Sequence, residues 1–357
     1  MSYAGVARTD SEREQALMLA AASFFSPGDS QDAAVSRKET LLREHPGYTN
    51  DSPIIVSTAD GSLAGSAFLI DCLVPVEDRL LQGVFVSSVS VAESARGQGL
   101  SLLLMKAAIK AAKMRGADIA MVIARRAVDG YYTRFGFWGL SQYSKITLKM
   151  DMLSTDMRVP VSVGTKPVTA EDFKVCATLH GASYENLVGH CLRRPEMWNY
   201  ILHKLPYLGM RLDLIVVDGE TAGYAIHDGK GNLHEVATVA GAPVCSPRTL
   251  LEACAPGSES VTLHIPPTHP FLTGLEGADV SLTLRECPYG GHMVRILNPA
   301  LPGSLRQSIA DGGDTVETHL SFAETARCLR LSRVTNFDSA PGLGLRGSFN
   351  IPLLDQI

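Results

Sequence analysis

Apolar residues recur at helical spacing from Thr9 to Phe25, which predicts an amphipathic helix. The period then changes. Pro53–Thr58 is a short apolar run that stops at Asp60-Gly61 and resumes beyond it, the arrangement of a β-hairpin. Residues 60–67 read D-G-x-x-A-G-x-A, and residues 218–225 read the same 158 positions later, after the apolar run Leu212–Val217. Thr169-Ala170-Glu171-Asp172 has the form of a capping box opening a helix ahead of the second copy. Two matched segments are too few for a solenoid, so the pattern predicts duplication of one α/β unit; the alternative is chance recurrence of a common hairpin. An alternating strand at Ser144–Met150, followed by Pro160, Gly164 and Pro167, puts the boundary near 150–165. The predicted organisation is an α/β (α+β) chain with domains at 1–155 and 156–297. A short segment, 298–357, follows them, rich in Pro, Gly and Ser with one helical stretch at Phe322–Arg330.

The densest chemistry lies between residues 84 and 137. Val84 and Val86 sit on even positions, Val89 and Val91 on odd ones. A regular strand cannot do this without moving its valines to the opposite face. One extra residue at Ser87–Ser88, a β-bulge, returns all four to one face and frees backbone polar groups for a ligand. The alternative is a central strand that buries its two faces in succession. Arg96-Gly97-Gln98-Gly99-Leu100-Ser101 then opens a helix over Leu100–Met114. A glycine turn at a helix N-terminus lets backbone N–H groups approach an anion, as a pyrophosphate cradle requires. The pattern is neither a P-loop nor the Rossmann G-x-G-x-x-G.

Composition narrows the classes. Apolar residues make up 45% of the 357 residues and charged ones 19%, so buried cores are expected and global disorder is not. The net charge of −5 argues against bulk binding to nucleic acid or anionic membrane. Locally the balance reverses: from Arg96 to Arg126 there are seven basic residues and one acid, Asp118, which suits a polyanionic small molecule. Lys106, Lys110 and Lys113 taken alone read as a solvated helix face opposite Leu102, Met105 and Ile109. The seven cysteines include no C-x-x-C pair and no metal site is recognisable, so reduced thiols in a cytoplasmic setting are expected. No secretory h-region and no apolar run of membrane-spanning length occurs. His227 and His234 flank a hairpin tip and could face one another.

A bulged strand, then Arg-x-x-Gly-x-small at Arg96–Ser101, then a helix, resembles the acetyl-CoA-binding motif of the GCN5-related N-acetyltransferases (GNAT). Tyr131-Tyr-Thr-Arg-Phe-Gly-Phe137 is similar to the aromatic segment that follows later in that family. Ser101 departs from the usual Gly or Ala but is small. Details of both segments resemble the Eis-like (enhanced intracellular survival) branch, in which a second, degenerate copy follows the active domain. Arg193-Arg-Pro-Glu-Met-Trp198 is similar to a helix of that copy, whereas residues 298–357 are shorter than the branch's sterol-carrier-like third domain.

The resemblance implies an N-acyltransferase that moves an acetyl group from acetyl-CoA to a primary amine of a small-molecule acceptor, without a metal. Val89, Val91, Arg96, Gly97, Gln98, Gly99, Leu100 and Ser101 would hold the donor, and the Val89 N–H would polarise its carbonyl. Tyr132 would be the general acid, and the chain's terminal carboxylate at Ile357 the base, with Glu93 a weaker candidate. Phe24 and Phe25 would line the acceptor mouth. Homo-oligomerisation is expected from the family. The alternatives are a longer acyl-CoA or an aminoacyl-tRNA donor, with residues 96–126 as an RNA-facing patch, or a CoA-binding protein without turnover.

Overall fold

The computed structural model describes residues 3–24, 30–76, 79–124, 129–139, 142–152, 162–184, 190–238, 247–265, 269, 271, 280–286, 291–301 and 317–320. They divide into two units: the described parts of Met1–Trp138 and Tyr289–Arg306, and those of Gly139–Pro288 and Gln307–Gln356. Neither unit is contiguous in sequence, because each includes one strand lying beyond or ahead of the main body of its own segment.

In the first unit the elements run β1 (Tyr3–Val6), α1 (Asp10–Ser23), α2 (Gln31–Arg43), β2 (Pro53–Ser57), β3 (Leu63–Val76), β4 (Arg79–Val91), α3 (Leu100–Met114), β5 (Ile119–Ala124), α4 (Asp129–Thr133) and β6 (Trp138–Gly139). The second contains β7 (Gln142–Lys149), β8 (Val163–Pro167), α5 (Phe173–Tyr184), α6 (Pro195–Lys204), β9 (Arg211–Val217), β10 (Glu220–His227), β11 (Asn232–Thr238), α7 (Pro247–Cys254), β12 (Ser260–Leu263) and β13 (Val280–Glu286). Then β14 (Gly291–Ile296) returns to the first sheet and β15 (Glu317–Leu320) ends the second. The first sheet has the order β1-β2-β3-β4-β5-β14-β6, and the second β15-β13-β7-β12-β11-β10-β9-β8.

Read from opposite ends, the first seven strands of the two orders correspond, with β14 and β7 in equivalent places and β15 an eighth strand without a counterpart among the described residues. In each unit the third and fourth strands are antiparallel, and the fourth and fifth parallel across a helix. The D-G-x-x-A-G-x-A repeat has a physical reason. Both hairpins skip one residue of register at the repeat's first alanine, Ala64 or Ala222. The glycine after it then lies against the next strand: a Cβ on Gly65 would come 2.9 Å from the Ser90 carbonyl oxygen, and one on Gly223 2.4 Å from that of Ala237. Only glycine fits there. A shared irregularity with a shared steric cause supports duplication over chance recurrence.

Helix ends follow local rules. Thr9 caps α1, its hydroxyl accepting from Glu12 N–H while the Glu12 carboxylate accepts from Thr9 N–H at 3.1 Å. The expected box ahead of α5 forms with Asp172 as its acid, accepting from Thr169 N–H and hydroxyl at 2.9 Å each. Lysine-bearing α3 buries Leu104, Met105, Ala108 and Ala112 completely against β2, β3, β4 and β5. Burial of a Leu or Met contributes about 1.5–3 kcal/mol. Leu102, expected on that buried face, is 43% exposed instead.

Candidate active site

The site begins as a fault in β4. Phe68 pairs with Ser87 but Ser66 with Ser90, so β4 spends three steps where β3 spends two. Ser88 carries the extra residue at φ 50°, a left-handed conformation costing about 1–2 kcal/mol for a residue with a Cβ. The parity of the valines is thereby restored. Val84, Val86, Val89 and Val91 all pack on the same apolar cluster. Beneath the bulge the Ser66 and Ser90 hydroxyls lie 3.0 Å apart, and Ser66 donates to the Ala16 carbonyl. These buried serines were not singled out from sequence, although polar residues among valines on a core strand were a visible signal.

The same strand parts from its parallel neighbour. Pairs join β4 to β5 at Gly83–Ile119, Val84–Ala120 and Phe85–Met121, and stop there. Beyond Met121, β5 continues on β14 alone, up to Ala124 opposite Gly291. The bulge therefore sits on one arm of a fork between β4 and β5, where backbone edges are not paired across the gap.

Next the chain turns through Arg96–Gly99 into α3. Gly97 and Gly99 have φ of 78° and 74°, and a Cβ at either would meet nothing. Their requirement is conformational rather than steric. Among the described residues, no hydrogen bond uses the backbone N–H of Gly97, Gln98, Gly99, Leu100 or Ser101. Five donors at an exposed, left-handed turn and helix start form the kind of concavity that takes an anion. Gln98 turns its own amide to the Ser94 carbonyl at 3.3 Å, and Arg96 is exposed. Glu93 is exposed on the short helical turn after β4.

The two tyrosines of α4 differ in burial. Tyr131 is half-buried and donates to the Ser101 carbonyl at 2.8 Å, tying α4 to the first turn of α3. Tyr132 is the buried one, at 8% exposure, packed edge-on against Tyr131 and Phe137. Its hydroxyl makes no hydrogen bond within the described protein, yet is not sealed from solvent. Burial, with Tyr131 beside it, pushes the Tyr132 phenol up to about 12, so it holds its proton throughout the neutral range. Val89, Val91, Leu100, Tyr131 and Tyr132 belong to one cluster, so the fold brings the two sequence motifs together.

Other expected residues stand apart. Phe24 ends α1 as its C-cap, with the Lys38 ammonium 4.8 Å from its ring centroid. Phe25 and Ile357 lie outside the described residues, as do Arg125, Arg126 and the stretch Phe322–Arg330. His227 and His234 do not face one another. His227 is buried 3.0 Å from Asp213, whereas His234 stacks on His264 at 4.8 Å. Among the described residues no group of three or more His, Cys, Asp or Glu could hold a metal, and no helix is long and apolar enough to cross a membrane.

Residues 7–140 match the family model described as an acetyltransferase (GNAT) domain. The fork, the glycine turn and the aromatic segment all fall within that match. This part of the chain is a GNAT-type acetyltransferase domain, and the protein is an enzyme of that kind. No curated protein sequence matches the chain. Solved structures do. A conserved protein of Enterococcus faecalis V583, provisionally named an N-acyltransferase, superposes with a TM-score of 0.65 at 14% identity, covering 84% of this chain and 73% of that one. A GCN5-related N-acetyltransferase from Anabaena variabilis gives 0.64 at 14% identity, with the same coverages. Eis1 from Mycobacterium abscessus gives 0.57 at 14% identity, over 83% and 74%. At such identities the likeness is one of fold, and it extends through both units.

Proposed function

We propose that the chain is a tandem, Eis-like N-acetyltransferase whose first unit transfers an acetyl group from acetyl-CoA to a primary amine of a small-molecule acceptor. The observation that carries the reading is the fork between β4 and β5, with a bulge on one arm and, in the turn that follows, five N–H groups that no hydrogen bond uses among the described residues. These residues suit the donor. The turn at Gly97–Ser101 would take the pyrophosphate, and the parted strand edges the pantetheine amides. Val89 N–H, displaced by the bulge, would donate to the thioester carbonyl; one preorganised donor of this kind contributes about 3–4 kcal/mol to the transition state.

The chemistry is direct attack. The amine nitrogen bonds to the carbonyl carbon, the C–S bond breaks, the thiolate takes a proton from Tyr132, and the amine's proton passes to a base. A phenol held protonated by burial can serve as the acid. The base is the carboxylate of Ile357, which the apolar, proline-containing end of the chain would carry to the acceptor. Phe24 would stand at the acceptor mouth with Phe25, and the protein would act as a cytoplasmic homo-oligomer.

Calorimetric titration with acetyl-CoA tests the donor assignment; one micromolar site per chain is expected. A folded chain that binds none would refute it. Removing Gln356 and Ile357 should abolish turnover with a primary-amine acceptor and spare donor binding, and unchanged turnover would exclude the terminal carboxylate as base.

A further inference from the structure

A cleft of about 700 Å³ opens on the outer side of α3, lined by Lys106, Lys110, Lys113, Arg134 and Arg295 around an apolar floor of Ile109 and Phe135, with Met114 exposed beside it. The three lysines therefore form one wall of a concavity, not a plain solvated face. They repeat at i, i+4 and i+7, a row about 10 Å long on one side of the helix. Arg134 follows α4, and Arg295 comes from β14, where its guanidinium donates to the Phe135 carbonyl. Arg295 is thus fixed beside the cleft by a strand 160 residues away in sequence.

Five cations meet there without a carboxylate among the lining residues. None of the five makes an ion pair among the described residues. In a chain of net charge −5 this is a local concentration, and like charges within a Debye length of about 8 Å repel. An anion would relieve that repulsion, and its charge would offset the desolvation that lowers the pKa of Arg295. Met114, 78% exposed at the cleft, adds an apolar side chain in water with no core role. The row begins about 9 Å along the helix axis from Leu100 and runs away from the glycine turn, so the cleft is not the turn's anion site.

We infer that this cleft is a second anion site, which binds a phosphorylated small molecule with an apolar ring-bearing body, the nucleotide class, independently of the acyl donor. Its volume lies in the range of small-ligand pockets, and its make-up pairs a cationic wall for phosphates with an apolar floor for a base. An RNA surface would need the basic row to continue. Instead the next cation, Arg115, is turned away and engaged by the Asp71 carboxylate and the Leu69 and Asp51 carbonyls.

Calorimetric titration of the full chain with ATP, in the presence of saturating acetyl-CoA, tests the inference. ATP is expected to bind at one site per chain, to weaken as salt rises, and to lose at least tenfold in affinity in the Lys110→Gln/Lys113→Gln variant. That variant should keep its melting temperature and its acetyl-CoA affinity. ATP that fails to bind at low salt, or that acetyl-CoA displaces fully, would overturn the inference. So would binding that the double variant leaves intact. A tRNA that binds where ATP does not, and is lost in the same variant, would replace it with an RNA surface. Failure of acetyl-CoA to bind, with ATP still bound, would count against the donor reading alone.

Discussion

The two units share a strand order and a hairpin irregularity, and they part where the third strand meets the fourth: β4 carries its extra residue at Ser88, β11 at His234. Eight residues after each repeat's Asp, Phe68 pairs with Ser87 in the first unit and Ile226 with Glu235 in the second. Beyond that point β4 bulges. In β11 the pairing runs on without a break from Glu235 to Thr238. Where the first unit has small hydroxyls, the second buries a carboxylate clamped by Arg193 at 2.5 and 2.7 Å, which also accepts from the Tyr224 hydroxyl at 2.6 Å. Arg193 in turn lies 5.1 Å from the ring centroid of the fully buried Trp198. The crossover helix α7 starts with Pro247, whereas α3 is entered through two left-handed glycines. The same topology thus serves a gap in one unit and a filled core in the other, and the side chains at matched register decide which.

The largest effect is expected at that filled position. Glu235→Gln removes the carboxylate that clamps the buried Arg193 guanidinium, and breaking a buried pair of this kind costs about 3–5 kcal/mol. Ser87→Ala at the matched register should cost about 1 kcal/mol. Urea unfolding of both variants measures the difference. A double variant, Arg193→Met with Glu235→Leu, should recover most of the loss, since apolar packing can replace a buried ion pair. Equal stability of E235Q and wild type would break the comparison.

Tyr132→Phe comes next and touches only the first unit. Loss of a general acid lowers turnover by about 10²-fold or more, with acetyl-CoA affinity and melting temperature unchanged. The high pKa sharpens this: the wild-type rate should show no falling limb assignable to Tyr132 below about pH 11. A Phe variant as fast as wild type would transfer the role elsewhere.

A smaller, pH-dependent effect belongs to the second unit. His180 and His269 flank Tyr184 in its core, and burial lowers both, His269 to about 3. Neither Nε2 atom makes a hydrogen bond of good geometry among the described residues. In the unfolded chain each titrates near 6.5, so below that pH the unfolded state binds more protons and stability falls. His269 adds a slope approaching 1.4 kcal/mol per pH unit between about 6 and 4, and His180 acts in the same sense. Unfolding of wild type and His269→Gln at pH 7 and pH 5 should show a shallower acid loss in the variant. Parallel losses would mean that His269 does not stay neutral.

Legibility followed the range of the cause. Valine parity exposed the bulge, because a two-residue period cannot change phase silently, and the Asp-Gly hairpins and glycine turn were equally local. Lengths were less exact: the helix expected over Thr9–Phe25 runs Asp10–Ser23, and α2 had no reading at all. What the sequence hid is set by distant partners. Nothing near residue 291 marks β14 as the neighbour of β5, and the lysines of α3 read as a solvated face until Arg134 and Arg295 close the cleft. The roles of Tyr131 and Tyr132 were hidden for a related reason. Adjacent aromatic residues on a short helix differ in burial through what α3, Phe135 and Phe137 bring against them.

The smallest predicted effect isolates the bulge itself. Ser88 has φ 50°, where glycine is at no disadvantage, and its hydroxyl lies 3.2 Å from that of Ser87. Ser88→Gly should relieve about 1 kcal/mol of backbone strain and lose a hydrogen bond of similar worth, leaving stability within about 1 kcal/mol of wild type. Deleting Ser88 is a different matter. It removes the extra step, sends Val89 and Val91 to the opposite face and aligns β4 with β3 there as β11 is aligned with β10 from Glu235 to Thr238. Acetyl-CoA binding and turnover should then vanish, whereas Ser88→Gly retains both. If the deletion variant folds and still binds acetyl-CoA, the bulge is not what separates the two units.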